Sequence, residues 1–160
     1  MPITYEPIAT TTLGSTAASI TFSTISGAYT DLVLVMNIRT DADRDIAVRF
    51  NGDTGTNYSR TFVYGDGSTA LSGRAANQAG FLFSYSTTTQ NVSVHSFMNY
   101  SNSTTYKTAI GRYGPTNLAS AATVGIWRNT NAITSMEIFC WSAGTFSTGS
   151  TFTLYGIASA

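Results

Sequence analysis

The chain has 160 residues, the size of one domain with room for a real core, and its eight basic and eight acidic side chains cancel. Charged residues make up only 10%, against about 25% in an ordinary soluble domain, so no long-range field exists to draw in nucleic acid or an anionic membrane. Hydrophobic residues at 42% and aromatics at 12% exclude a disordered chain. The shortage of charge also suggests that much of the surface is covered in the working state. No segment approaches the roughly 18 apolar residues of a membrane span. Met1–Glu6 lacks the basic and apolar stretches of a secretory signal, which predicts synthesis and folding in a cytoplasm. With one cysteine, Cys140, no intramolecular disulfide can form.

The period is two almost everywhere. Residues 1–19 are Thr-rich with little alternation and read as an extended arm or edge strand, ahead of one domain over 20–160. Ile20-Thr21-Phe22 is a short strand. In Asp31–Arg39, Leu32, Leu34, Met36 and Ile38 share one face, and Val33 and Val35 the other. Ile46, Val48 and Phe50 alternate with Ala47, Arg49 and Asn51. Thr61–Tyr64 and Phe81–Tyr85 are further runs. Asn91–Tyr100 places Val92, Val94, Met98 and Tyr100 opposite His95 and Phe97. Tyr106–Arg112, Val124–Trp127, Ile133–Trp141 and Thr151–Ile157 complete the set. Turn chemistry separates them at Asn51–Gly55, Gly65–Ser68, Tyr113–Asn117 and Asn129–Asn131. Ala70–Ala79 reads as a loop with a helical turn, and Leu118–Thr123 as at most one turn. The pattern predicts an all-β, jelly-roll-like sandwich of about eight to ten antiparallel strands. Its core includes Leu32, Leu34, Met36, Val48, Phe50, Val94, Ile126, Ile138, Phe152 and Leu154.

No constellation carries chemistry. Asp41, Asp43 and Asp45 resemble the start of a calcium loop, but the required Gly and Glu positions hold Ile46 and Gly52. With Arg39 and Arg44 beside them, a salt-bridged, solvated loop fits better. Asp53 and Asp66 sit where turn geometry alone favours Asp. His95 is the single histidine. It makes no zinc set with Cys140, and no Gly-x-Ser-x-Gly elbow accompanies it. It reads as a partly exposed or hydrogen-bonded structural residue. Glu6 and Glu137, the only glutamates, form no acid/base pair for glycoside chemistry. Cys140, between Phe139 and Trp141, reads as a buried, inert thiol. Gly65–Ser68 lacks the Lys and helix of a phosphate loop. No catalytic residue, metal or cofactor is expected. Trp127 and Trp141 read as core, although an exposed Trp or Tyr on a sandwich also suits a carbohydrate-binding module.

Several stretches resemble a family of small bacteriophage and prophage structural proteins. They are Tyr5–Leu13, Tyr29–Leu32, Arg49–Asp53, Tyr64–Ser68, Gly125–Arg128 and Gly149–Ile157, spread over nearly the whole chain. The resemblance implies a non-enzymatic virion component. Capsid decoration, bridging major capsid subunits on the outer surface of a head, is the first expectation, with a trimer favoured. A fibre tip or carbohydrate-binding module recognising host glycan is the alternative. A compact domain without fibrous repeats favours decoration. The N-terminal arm suits a segment that reaches a neighbour, so Pro2, Ile3, Tyr5, Pro7, Ile8 and Leu13 are the expected capsid contacts. The loops Asp41–Asp45 and Asn51–Asn57 come next.

Overall fold

The computed structural model describes residues 4–116 and 119–158. The described residues contain no helix and form twelve strands: β1 (Tyr5–Thr12), β2 (Ser19–Phe22), β3 (Asp31–Ile38), β4 (Arg44–Phe50), β5 (Tyr58–Gly65), β6 (Ala70–Gln78), β7 (Phe81–Ser86), β8 (Asn91–Met98), β9 (Lys107–Thr116), β10 (Ala119–Trp127), β11 (Met136–Cys140) and β12 (Thr151–Ile157). All pairings are antiparallel. Eight strands form one sheet in the order β1-β12-β3-β8-β9-β10-β5-β6, and four form the second in the order β2-β11-β4-β7. This is the expected all-β sandwich, with more strands than the eight to ten anticipated.

The two further strands are β1, read as an extended arm or edge strand, and β6, read as a loop with a helical turn. Ala70–Gln78 is β6, zipped to β5 across the Asp66–Gly67 turn, where Asp66 Oδ1 accepts the Ser68 and Thr69 backbone N–H at 2.9 and 2.6 Å. It shows no apolar alternation because the smaller sheet ends at β7, so neither face of β6 is fully buried. Ala119–Thr123 lies inside β10 rather than in a helical turn, while Leu118 falls outside the described residues.

The core fills the space between the sheets with Leu32, Leu34, Met36, Phe152 and Leu154 from the large one, and Val48, Phe50, Met136 and Ile138 from the small one. Two expected core residues are elsewhere. Val94 and Ile126 are half-buried on the outer face of the large sheet. On β8 the inward set is Ser93, His95 and Phe97, and on β10 it is Ala121, Thr123, Gly125 and Trp127. The reason is steric. The rings of Phe81 and Phe83 on β7 project onto this part of the sheet. A Cβ on Gly125 would come within 2.0 Å of the Phe81 ring, and Phe83 meets the His95 ring edge-on at 4.3 Å. Large side chains on one sheet demand small ones opposite at close-packed density.

Candidate functional site

The register puts three parallel rows on the outer face of the large sheet. The first is Val33, Ser96, Ile110, Val124 and Thr61. The second is Val35, Val94, Arg112, Ala122 and Val63. The third is Asp31, Met98, Thr108, Ile126 and Ser59. Val63, Val92, Met98, Ile110 and Val124 are each between 52% and 55% exposed, and Val35, Val94 and Ile126 lie half-buried among them. Five strands about 4.8 Å apart and three rows about 6.8 Å apart give a face of roughly 500 Å², with rows spaced by two residues of strand rise. Nine of its fifteen positions are apolar, so the apolar part falls within the size of the largest patch an ordinary monomer shows. Arg112 stands in the strip and Arg74 extends its first row on β6, where it pairs with Thr61. Asp31, the acid in these rows, accepts the Asn99 N–H at 2.6 Å. The face is thus aliphatic with a basic bias. It suits a flat protein surface that is apolar and carries carboxylates. It lacks the aromatic platforms and paired polar groups that hold a small molecule.

The expected contact segments are mostly engaged inside the fold. Pro2 and Ile3 lie outside the described residues. Tyr5–Thr12 is the edge strand β1, hydrogen-bonded to β12. Ile8 and Leu13 pack against the core, whereas Tyr5 and Pro7 are exposed. In the Asp41–Asp45 loop, Arg44 grips Asp41 with two bonds of 2.9 Å, and that guanidinium holds the Asp41 carboxyl down at about 2. Arg39 takes no part and donates to the Thr148 carbonyl instead. No grouping of three metal-ligating side chains occurs among the described residues.

The Asn51–Asn57 loop is strapped from within. Asp53 accepts the Trp127 Nε1–H at 2.7 Å, the Asn57 amide at 2.9 Å and the Gly55 N–H at 2.8 Å. Partial burial works to raise the Asp53 pKa, but these donors outweigh it and hold the carboxyl below its usual range. Asp53 is therefore more than a turn residue: it anchors the core tryptophan. Asn51, with φ of 53°, accepts the Thr134 and Ser135 N–H through Oδ1 at 2.8 and 3.1 Å, tying this loop to the approach to β11.

Three titratable groups are buried away from any catalytic arrangement. His95 is 1% exposed, and neither ring nitrogen finds a partner, contrary to the expected exposed or hydrogen-bonded histidine. Nδ1 lies flat against Gly111, where a Cβ would be only 1.8 Å away. Burial pushes its pKa down to about 3. Burial pushes the Cys140 thiol up to about 12, which keeps it protonated and unreactive. Lys107 is 2% exposed and donates to the Thr105 and Thr130 carbonyls at 2.7 and 2.9 Å, with its pKa lowered by desolvation. Sequence reasoning missed this lysine, since nothing in Tyr106–Arg112 marks a buried cation.

No protein-family model matches the chain, and no curated protein sequence matches it significantly. Among solved structures, the galectin LEC-6 of Caenorhabditis elegans aligns over 94% of this chain and 96% of its own, at 12% identity and a TM-score of 0.36. That likeness is too loose to assign a ligand.

Proposed function

We propose that this chain is a non-enzymatic structural protein that works by docking the outer face of its large sheet onto a larger protein assembly. The observation that carries the reading is the aliphatic strip centred on Ile110 and Val124, where Val63, Met98, Ile110 and Val124 are left half exposed side by side on one face. The burial of His95 and Cys140 away from solvent supports a role without catalysis.

The resemblance to phage structural proteins supplies the assembly: a capsid lattice, with the chain on the outer surface of the head as a decoration protein across major capsid subunits. A matched pair of such faces hides about 1,000 Å², below the standard size of specific interfaces and in the range of weak ones. Each contact is then weak, and many copies act together. A ligand that binds only the assembled lattice lowers its free energy by about 2.7 kcal/mol per site at a hundredfold excess over Kd. A homotrimer at local threefold positions is the arrangement proposed, since closed rotational symmetry is the usual solution for identical copies. Arg112 and Arg74 require carboxylates on the lattice opposite them.

The test is the copy number and position of the protein in purified particles, with native mass measurement of the free protein. Hundreds of copies over the head are expected, and a few copies confined to the tail would overturn the reading. Ile110→Glu should leave a folded protein that no longer joins particles. Unchanged incorporation of that variant would remove the large sheet from the contact.

A further inference from the structure

We propose that the outer face of the small sheet, around Trp141, Phe139, Arg49 and Glu137, is a binding site for a neutral glycan. The site is independent of the docking reading, because it uses the opposite side of the sandwich.

The register of β4 and β11 sets Arg49 beside Glu137 and Ala47 beside Phe139. Arg49 Nη1 meets Glu137 Oε2 at 2.9 Å, and Arg49 Nε donates to the Ala79 carbonyl at 3.1 Å. The same guanidinium lies over the Phe139 ring, 4.4 Å from its centroid. Phe139 and Trp141 sit side by side, with centroids 5.9 Å apart and planes tilted by 32°. Both rings rest on the backbone at Gly80, where a Cβ would come within 3.0 Å of Trp141 and 3.2 Å of Phe139. A side chain at residue 80 would require both rings to give by a few tenths of an ångström.

A pyranose offers two chemistries at once: a face of C–H groups and a rim of hydroxyls that both donate and accept. The Trp141 indole matches the first, because the Arg49 guanidinium already covers the Phe139 ring. Arg49 and Glu137 match the second. Among the described residues, Glu137 Oε1 and Arg49 Nη2 have no hydrogen-bond partner, so a free acceptor stands next to a free donor. Such a pair suits two adjacent hydroxyls through charge-assisted bonds. The guanidinium is already held by a carboxylate, a carbonyl and a ring, so binding freezes little further motion. The ligand is uncharged because Glu137 already balances Arg49. Asp45 follows on the same face two residues before Ala47, which disfavours a carboxylated sugar. On the large sheet the aromatic pair Tyr5 and Tyr155 has no ion pair beside it among the described residues.

The experiment is saturation-transfer NMR with maltose, cellobiose and lactose, alongside tryptophan fluorescence. An open, single-faced site predicts a Kd of about 1–10 mM for at least one of the three. The fluorescence change comes from Trp141, as Trp127 is 2% exposed and bonded to Asp53. Glu137→Gln keeps the size of the side chain and should weaken binding about tenfold or more. Trp141→Ala should abolish it, and Leu71→Ser, at an exposed residue of the edge strand β6, should leave sugar binding unchanged. Absence of transfer from all three sugars would overturn the proposal. So would binding undiminished in both Glu137→Gln and Trp141→Ala, or a sialylated trisaccharide binding more tightly than the neutral sugars.

Discussion

Two halves of the large sheet face the same core and solve the packing problem in opposite ways. Under β3 and β12 the inward residues are Leu32, Leu34, Met36, Phe152 and Leu154, all fully buried. Under β8, β9 and β10 they are Ser93, His95, Ala109, Gly111, Ala121, Thr123 and Gly125, with Phe97 and Trp127 at one end. The first half brings its own volume. The second receives volume from Phe81 and Phe83 on β7 and so must be thin. Total volume between the sheets is conserved, and its assignment to one strand or the other is free. Strands that cede their inner volume still carry Val94, Ile110, Val124 and Ile126, and these end up outside.

The largest effect belongs to the voluminous half. Phe152 is fully buried and meets Phe146 edge-on at 5.0 Å. Phe152→Ala is expected to cost about 3–5 kcal/mol in urea denaturation, and Leu34→Ala about 2–5 kcal/mol. Costs near zero for both would mean that this half is not the rigid one.

The thin half responds to acid instead. His95 titrates near 3 in the folded protein because burial penalises its charged form, and near 6.5 in the unfolded chain. Between those values the unfolded state binds the extra proton, so stability rises with pH and is lost as pH falls from 6.5 towards 3. The loss is on the order of 5 kcal/mol. Asp41, with its carboxyl held near 2 by Arg44, loses its contribution in the same direction but only below the usual carboxylate range. His95→Phe therefore should flatten the profile between pH 4.5 and 6.5, leaving the more acidic limb. An unchanged profile would show that His95 already has a proton-accepting partner.

A smaller effect tests whether thinness itself is required. Gly111→Ala drives a Cβ into the His95 ring and should destabilise by about 1–3 kcal/mol. In a Gly111→Ala, His95→Ala double variant most of the Gly111 penalty should vanish, a coupling that a double-mutant cycle reads directly. Additive costs would place the ring elsewhere.

This contrast explains what could be read in advance. Leu32, Leu34, Met36 and Ile38 announce their face because the large residues point inward. On β8, Val92, Val94 and Met98 announce a face equally well, but it is the outer one. Alternation reveals that two faces differ, not which one meets the core, and a shift of one residue exchanges them. The glycines were the overlooked signal. Gly111 and Gly125 share a face with His95, and glycine in a strand marks the close approach of another group. The candidate docking face was hidden for the same reason: its residues have the composition of a core. Arg49 and Glu137 form one cross-strand pair and Phe139 belongs to the next pair on the same face, a grouping that only the register reveals.

The smallest stability effect, and the sharpest functional one, is expected on the outer rows. Val124 is 52% exposed and lies between Ile110 and Thr61 on neighbouring strands. Val124→Lys keeps the backbone pairing and places its ammonium in water, so stability should stay within about 0.5 kcal/mol. The same change puts a desolvated charge at the centre of the proposed contact and should remove particle binding. Lys is the better probe than Glu at this position, because a partner carrying carboxylates for Arg112 and Arg74 would offer Lys an ally at the rim but none at the apolar centre. Retained binding of Val124→Lys together with retained stability would mean that the strip faces solvent in the particle. The aliphatic character of β9 and β10 would then need a reason other than docking. A large loss of stability would instead place Val124 inside a contact already present in the free protein, which native mass measurement would register as an oligomer that falls apart in the variant.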